Sequence, residues 1–128
     1  MTDENTQIEA LIIEDEVDIC FLLTGILRKK NLHTTFVSTL RAGENSLRIL
    51  HPSLLFIDNN LPDGLGIEHL SQIKTTNPEM KIIMITADDS ADNKKKALTA
   101  GADYFIGKPF TVDTITRTVD SALKVIHY

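Results

Sequence analysis

Four apolar residues, Leu54-Leu55-Phe56-Ile57, run straight into Asp58, and a loop punctuated by Pro62, Gly64 and Gly66 follows. A short apolar run bounded by turn signals reads as a strand buried on both faces. Such a strand needs helices above and below it, which narrows the choice of fold sharply. Ala10-Leu11-Ile12-Ile13 is a second such run and ends in Glu14-Asp15-Glu16. Met80 to Ile85 is a third and stops at Thr86-Ala87. His33 to Val37, rich in β-branched and aromatic residues, reads as a more exposed strand. Tyr104-Phe105-Ile106 is a short fifth, followed by Gly107-Lys108-Pro109-Phe110.

Helical signals fill the gaps. Val17, Cys20, Phe21, Thr24 and Leu27 recur at helical spacing, flanked by Leu23 and Ile26, and Arg28-Lys29-Lys30 suits the dipole-negative end. Thr39 caps a helix to about Leu50, with Ala42, Leu47 and Leu50 inward; Gly43 weakens it by about 1 kcal/mol relative to Ala. Ile67, Leu70 and Ile73 mark a third helix, ended by Asn77-Pro78. Asp88, Asp89 and Ser90 offer caps for a fourth, weakly amphipathic helix whose apolar side is mostly Ala91, Ala97 and Leu98. Thr111 caps a last helix with Ile115, Val119, Ala122, Leu123 and Ile126 on one face. Residues 1–7 read as a disordered lead-in and residues 8–128 as one domain. The alternation predicts an α/β fold: a single doubly wound, flavodoxin-like five-stranded parallel sheet of order 2-1-3-4-5, with helices on both faces.

Bulk properties exclude several classes. With 128 residues and 42% hydrophobic content the chain can bury one core. A net charge of −5 disfavours nucleic acid and anionic membranes as partners. A polar, acidic N-terminus is unlike a signal peptide, and no stretch is long enough to span a membrane, so a cytoplasmic location is expected. Cys20, the single cysteine, allows no internal disulfide and reads as a core thiol. His33, His51, His69 and His127 show no ligand spacing.

The carboxyl ends of parallel strands converge on one crevice. There the chain brings Glu14 and Asp15, then Asp58, then Thr86 and Ala87, then Lys108. Clustered carboxylates repel, and a hard divalent cation relieves the repulsion; oxygen ligands without His or Cys suit Mg²⁺. Asp58 can then serve as both ligand and nucleophile, forming an aspartyl phosphate. Lys108 supplies a point charge, Thr86 a hydroxyl, and Ala87 a backbone N–H that can approach a phosphoryl oxygen.

The motifs Leu11-Ile12-Ile13-Glu14-Asp15-Glu16, Asp58 to Gly66, Ile85-Thr86-Ala87, and Gly101-Ala102 leading into Lys108-Pro109-Phe110 resemble those of response-regulator receiver domains of the two-component family, in a stand-alone, chemotaxis-regulator-like form. The resemblance runs from about Ile8 to Ile126. It implies that Asp58 takes a phosphoryl group from a histidine kinase or histidine phosphotransfer protein. Asp15, Asp58 and the Asn60 carbonyl would hold Mg²⁺, with Glu14 acting through water. Lys108 would pair with Asp58 or its phosphate, and the Lys108–Pro109 bond would be cis. Thr86 and Phe105 would form the switch, and Lys94, Lys95, Lys96, Tyr104 and Phe105 would lie on the face that meets a downstream protein. Such a domain is no enzyme beyond its own phosphorylation and dephosphorylation. Asp88, two residues past the threonine, reads as a helix cap; the resemblance also gives that position a part in phosphate loss.

Three positions depart from the common pattern: Glu14 replaces Asp, Asn59 replaces an apolar residue, and Phe105 lacks the hydroxyl of Tyr. Rival readings remain. An aspartate-dependent phosphatase wants a second acid two residues after the nucleophile, where this chain has Asn60. A flavin carrier wants a phosphate loop where Glu14-Asp15-Glu16 would repel phosphate. A phosphorelay shuttle, or a constitutive interaction module with a vestigial site, would carry the same fold. The chain ends just after its last helix, so output through another protein is expected.

Overall fold

The computed structural model describes residues 7–126, so most of the lead-in and His127 lie outside the described residues. The side chain of Ile126 lies outside them as well. The order is β1 (Glu9–Ile13), α1 (Val17–Lys29), β2 (His33–Val37), α2 (Leu40–Leu50), β3 (Leu54–Asp58), β4 (Asn60–Leu61), β5 (Gly64–Leu65), a 3-10 turn (Gly66–His69), α3 (Leu70–Thr76), β6 (Lys81–Thr86), α4 (Ala91–Ala100), β7 (Tyr104–Gly107) and α5 (Val112–Ile126). The main sheet is β2-β1-β3-β6-β7, all parallel. Counting only these five strands, this is the expected order 2-1-3-4-5. The added β4–β5 pair is a two-residue antiparallel hairpin inside the loop after Asp58.

Alternation along each strand divides the core in two. Ala10, Ile12, Leu54, Phe56, Ile83 and Ile85 pack with α1 and α5 on one face. Leu11, Ile13, Leu55, Ile57, Ile82 and Met84 pack with α2, α3 and α4 on the other. Every residue of β3 is buried, which explains its unbroken apolar run.

Three details differ from the sequence-based expectations. In α1 the buried stripe is Cys20, Leu23, Thr24, Ile26 and Leu27, whereas Val17 and Phe21 are exposed. Phe21 lies one step off the core-facing line and instead meets Phe36 edge to face, ring centres 5.9 Å apart. In α2 the buried positions are Leu40, Gly43 and Leu47, with Ala42 and Leu50 only half-buried. Gly43 is thus a contact: a Cβ there would come within 2.4 Å of Ile13 Cδ1. In α4 only Ala97 is buried, and Ala91 and Leu98 face outward. Ser90 caps α4 by accepting from the Asn93 N–H, and Asp88 supports it by accepting from the Ser90 N–H.

Candidate functional site

Adjacent parallel strands bring their last residues together. Ile13 pairs with Ile57, and Asp58 pairs with Ile85, so Glu14, Asp58 and Thr86 emerge side by side. Glu14 and Asp58 are almost wholly buried and Thr86 completely so. Asp15, Asn60 and Ala87 are exposed around them. Lys108 reaches in from the end of β7, whose Gly107 pairs with Thr86. The Lys108 N–H donates to the Thr86 carbonyl at 2.8 Å, and the peptide bond to Pro109 is cis.

The Lys108 ammonium lies 2.9 Å from Glu14 Oε1, 3.1 Å from Glu16 Oε1 and 3.4 Å from Asp58 Oδ1. The sequence reading pairs it with Asp58; the geometry adds Glu14 and Glu16, both nearer. Glu16 carries no sequence signal of this contact, because a third consecutive acid reads as a solvated helix start. Its own N–H donates to Glu14 Oε2 at 3.0 Å, which turns the first carboxylate inward.

Burial raises the Glu14 carboxyl to about 7, against the opposing pull of the Glu16 N–H and Lys108. Burial also raises Asp58, opposed by Lys108 and by the Asn60 N–H. Burial depresses Lys108, but Glu14, Asp58 and Glu16 outweigh it and leave the ammonium more firmly protonated than usual. Cys20 is a core thiol, raised to about 11 mainly by burial, whose Sγ donates to the Glu14 carbonyl at 3.3 Å.

One lysine cannot satisfy this many acids. Oxygens of Glu14, Asp15 and Asp58 lie within 4.8 Å of one another. Buried Glu14 Oε1 is near Lys108 Nζ but accepts no well-directed hydrogen bond. A hard cation among these oxygens would meet both the excess charge and the orphaned oxygen, so the donor set fits Mg²⁺.

The loop after Asp58 is tightly held. Gly66 Cα sits so close to the strand end that a Cβ would fall 2.4 Å from the Asp58 carbonyl oxygen. That neighbour is backbone and cannot swing aside. Gly66→Ala is expected to destabilise the domain by about 1–3 kcal/mol, as overpacking does, and to shift Asp58. Urea unfolding and the amide resonance of Asp58 would check both.

Asp63 accepts from the N–H groups of Leu40 and Arg41 at 2.8 and 3.0 Å, beside the cap that Thr39 provides to Ala42. These bonds hold the exposed Asp63 carboxyl below its ordinary 3.8. The stabilisation is therefore present above pH 3.8 and lost as pH falls through the lower folded value. Asp63→Asn should lower the melting temperature at pH 7, and the gap from the parent should close in acid.

The residues expected to form the switch and the partner face take the following positions. Thr86 Oγ1 accepts from the Asp88 N–H at 3.2 Å. Phe105 packs on the α2–α3–α4 side of the sheet and Tyr104 on the α1–α5 side, so the edge strand carries them on opposite faces. Lys94, Lys95 and Lys96 are exposed on α4.

Residues 10–120 match the family model of the response regulator receiver domain. The chain belongs to that family, the phosphorylatable signalling switches of two-component systems. It is 30% identical over 113 residues to the regulatory protein LuxO of Vibrio vulnificus, covering 88% of this chain and 25% of that one. It is 33% identical over 117 residues to the response regulator protein PilR of Pseudomonas aeruginosa, covering 91% and 26%. The chain thus spans about a quarter of the length of these relatives. Among solved structures it is similar to the beryllofluoride-activated NtrC4 receiver domain dimer, with 32% identity, TM-score 0.85, and coverage of 91% of this chain and 96% of that one. A CheY-like receiver domain protein from Methanospirillum hungatei gives 27% identity, TM-score 0.85, and coverage of 95% and 98%. Among the described residues no helix is long and apolar enough to cross a membrane.

Proposed function

We propose that residues 8–128 act as one cytoplasmic receiver unit whose Asp58 accepts a phosphoryl group from a phosphohistidine protein. The observation that carries this reading is the buried Asp58 carboxylate, 3.4 Å from the Lys108 ammonium and clustered with Glu14 and Asp15. An Asp58 oxygen attacks phosphorus, the P–N bond to the donor histidine breaks, and the imidazole leaves with the electron pair and takes up a proton. Asp15, Asp58 and the Asn60 carbonyl would hold Mg²⁺, with Glu14 behind them through water. When bound, the cation neutralises charge developing on the phosphoryl oxygens. Lys108, between Glu14 and Asp58, would take a phosphoryl oxygen, and the N–H of the exposed Ala87 would take another. Hydrolysis returns the carboxylate and inorganic phosphate, and Asp88, two residues past Thr86, would influence the attacking water.

Thr86 gives up its bond to the Asp88 N–H when its hydroxyl turns to the phosphoryl group, and Phe105 follows inward from the edge strand. The phosphoryl group thereby favours one arrangement of this edge over another, and affinity for a downstream protein at Lys94, Lys95, Lys96 and Tyr104 changes with it. The test is intact mass after incubation with a small acyl-phosphate donor, with and without Mg²⁺. A single Mg²⁺-dependent phosphoryl adduct supports the reading. No adduct under any condition points instead to a constitutive interaction module.

A further inference from the structure

Asn59 is polar where receivers commonly carry an apolar residue, and it is 91% buried just past the end of the central strand. Its N–H continues the sheet ladder to the Ile85 carbonyl at 3.3 Å. Its two oxygens then take two consecutive amides across the loop. The Asn59 carbonyl accepts from the Gly66 N–H at 2.8 Å, and Oδ1 accepts from the Ile67 N–H at 2.9 Å. Both donors open the 3-10 turn, so neither has an intrahelical partner. No side chain of Leu65, the residue before that turn, caps it. Asn59 therefore acts as a remote cap, eight residues upstream of the amide it satisfies.

The peptide unit joining Asn59 to Asn60 is fixed by the same clasp. Its carbonyl is held by Gly66, and its N–H faces the Asp58 carboxylate. The next carbonyl along is that of Asn60. We infer that Asn59 is a positioning residue for the metal: through Ile67 and Gly66 it sets the direction of the Asn60 carbonyl, the one backbone ligand of the proposed Mg²⁺ site. An apolar side chain at position 59 would leave the Ile67 N–H without an acceptor and the hairpin closed by its main-chain bonds alone. Groups behind the ligands commonly alter metal affinity by tenfold or more. The inference rests on the metal reading above.

The test compares the parent with Asn59→Leu, which keeps the volume and removes the acceptor, and Asn59→Asp, which keeps the acceptor. Mg²⁺ affinity is read by NMR titration of backbone amides, hydrogen exchange is read at Ile67, and melting temperature is recorded beside both. Asn59→Leu should lose protection at Ile67 and bind Mg²⁺ about tenfold more weakly, while Asn59→Asp should retain the protection and, its added charge favouring the cation, bind Mg²⁺ no more weakly than the parent. Loss of Ile67 protection with unchanged Mg²⁺ affinity would overturn the inference and leave Asn59 a purely structural cap. Rapid exchange of Ile67 in the parent would overturn it even if the leucine variant failed to fold. A parent that binds no Mg²⁺ would overturn the metal reading and this inference together, a result distinct from equal binding by parent and variant.

Discussion

Asp58→Asn is expected to abolish the phosphoryl adduct while leaving the fold intact. An amide oxygen is a poor nucleophile and cannot form a stable acyl phosphate, whereas its size and shape match the carboxylate. Loss of one charge from a cluster with too many acids should also stabilise the domain, because burial already pushes the Asp58 carboxyl toward its neutral form. The variant should thus melt higher than the parent without Mg²⁺ and take up no phosphate. Intact mass and a thermal scan read the two effects. An adduct that persisted in the variant would point to another acceptor side chain.

The second large effect is a dependence of stability on pH that Mg²⁺ reverses. Glu14 has a folded pKa of about 7 against an ordinary 4.5. Between those values the folded protein keeps a proton that the unfolded chain has lost. Its contribution to stability is therefore complete below pH 4.5 and falls away as pH rises through 7. A shift of that size corresponds to roughly 3 kcal/mol across the window. Mg²⁺ takes the place of the proton, so its stabilising effect should be small at pH 5 and large at pH 8. Melting curves from pH 5 to 8, with and without Mg²⁺, test this. Glu14→Gln, which cannot titrate, should flatten much of the metal-free profile. Parent and variant profiles that ran parallel would refute the assignment to Glu14.

Much of this molecule is legible in its sequence. Apolar runs leading into acid, threonine or lysine define four of the five strands and the edge on which chemistry gathers; the exposed β2 is marked only by its β-branched and aromatic residues. What was hidden depends on contacts between residues far apart in the chain. Nothing near Glu16 says that Lys108, 92 positions on, will choose it over Asp58. Gly43 looks like a weak point in a helix until the approach of Ile13 is known. Phe21 fits a helical stripe by spacing alone, but the stripe is wide and the sheet covers only part of it. Asn59 looks anomalous as a polar residue after a buried strand and becomes intelligible only when the loop folds back on it.

That returning loop sets a ruler in the chain. Surface loops ordinarily tolerate insertions and deletions. Between Asp58 and Ile67, however, each attachment is counted in residues: Asn59 to Gly66 and Ile67, Asp63 to the start of α2, and Gly66 to the back of Asp58. One residue more or fewer would put every one of these out of step at once. Length variation should accumulate elsewhere on this scaffold, and this segment should drift in composition while keeping its count.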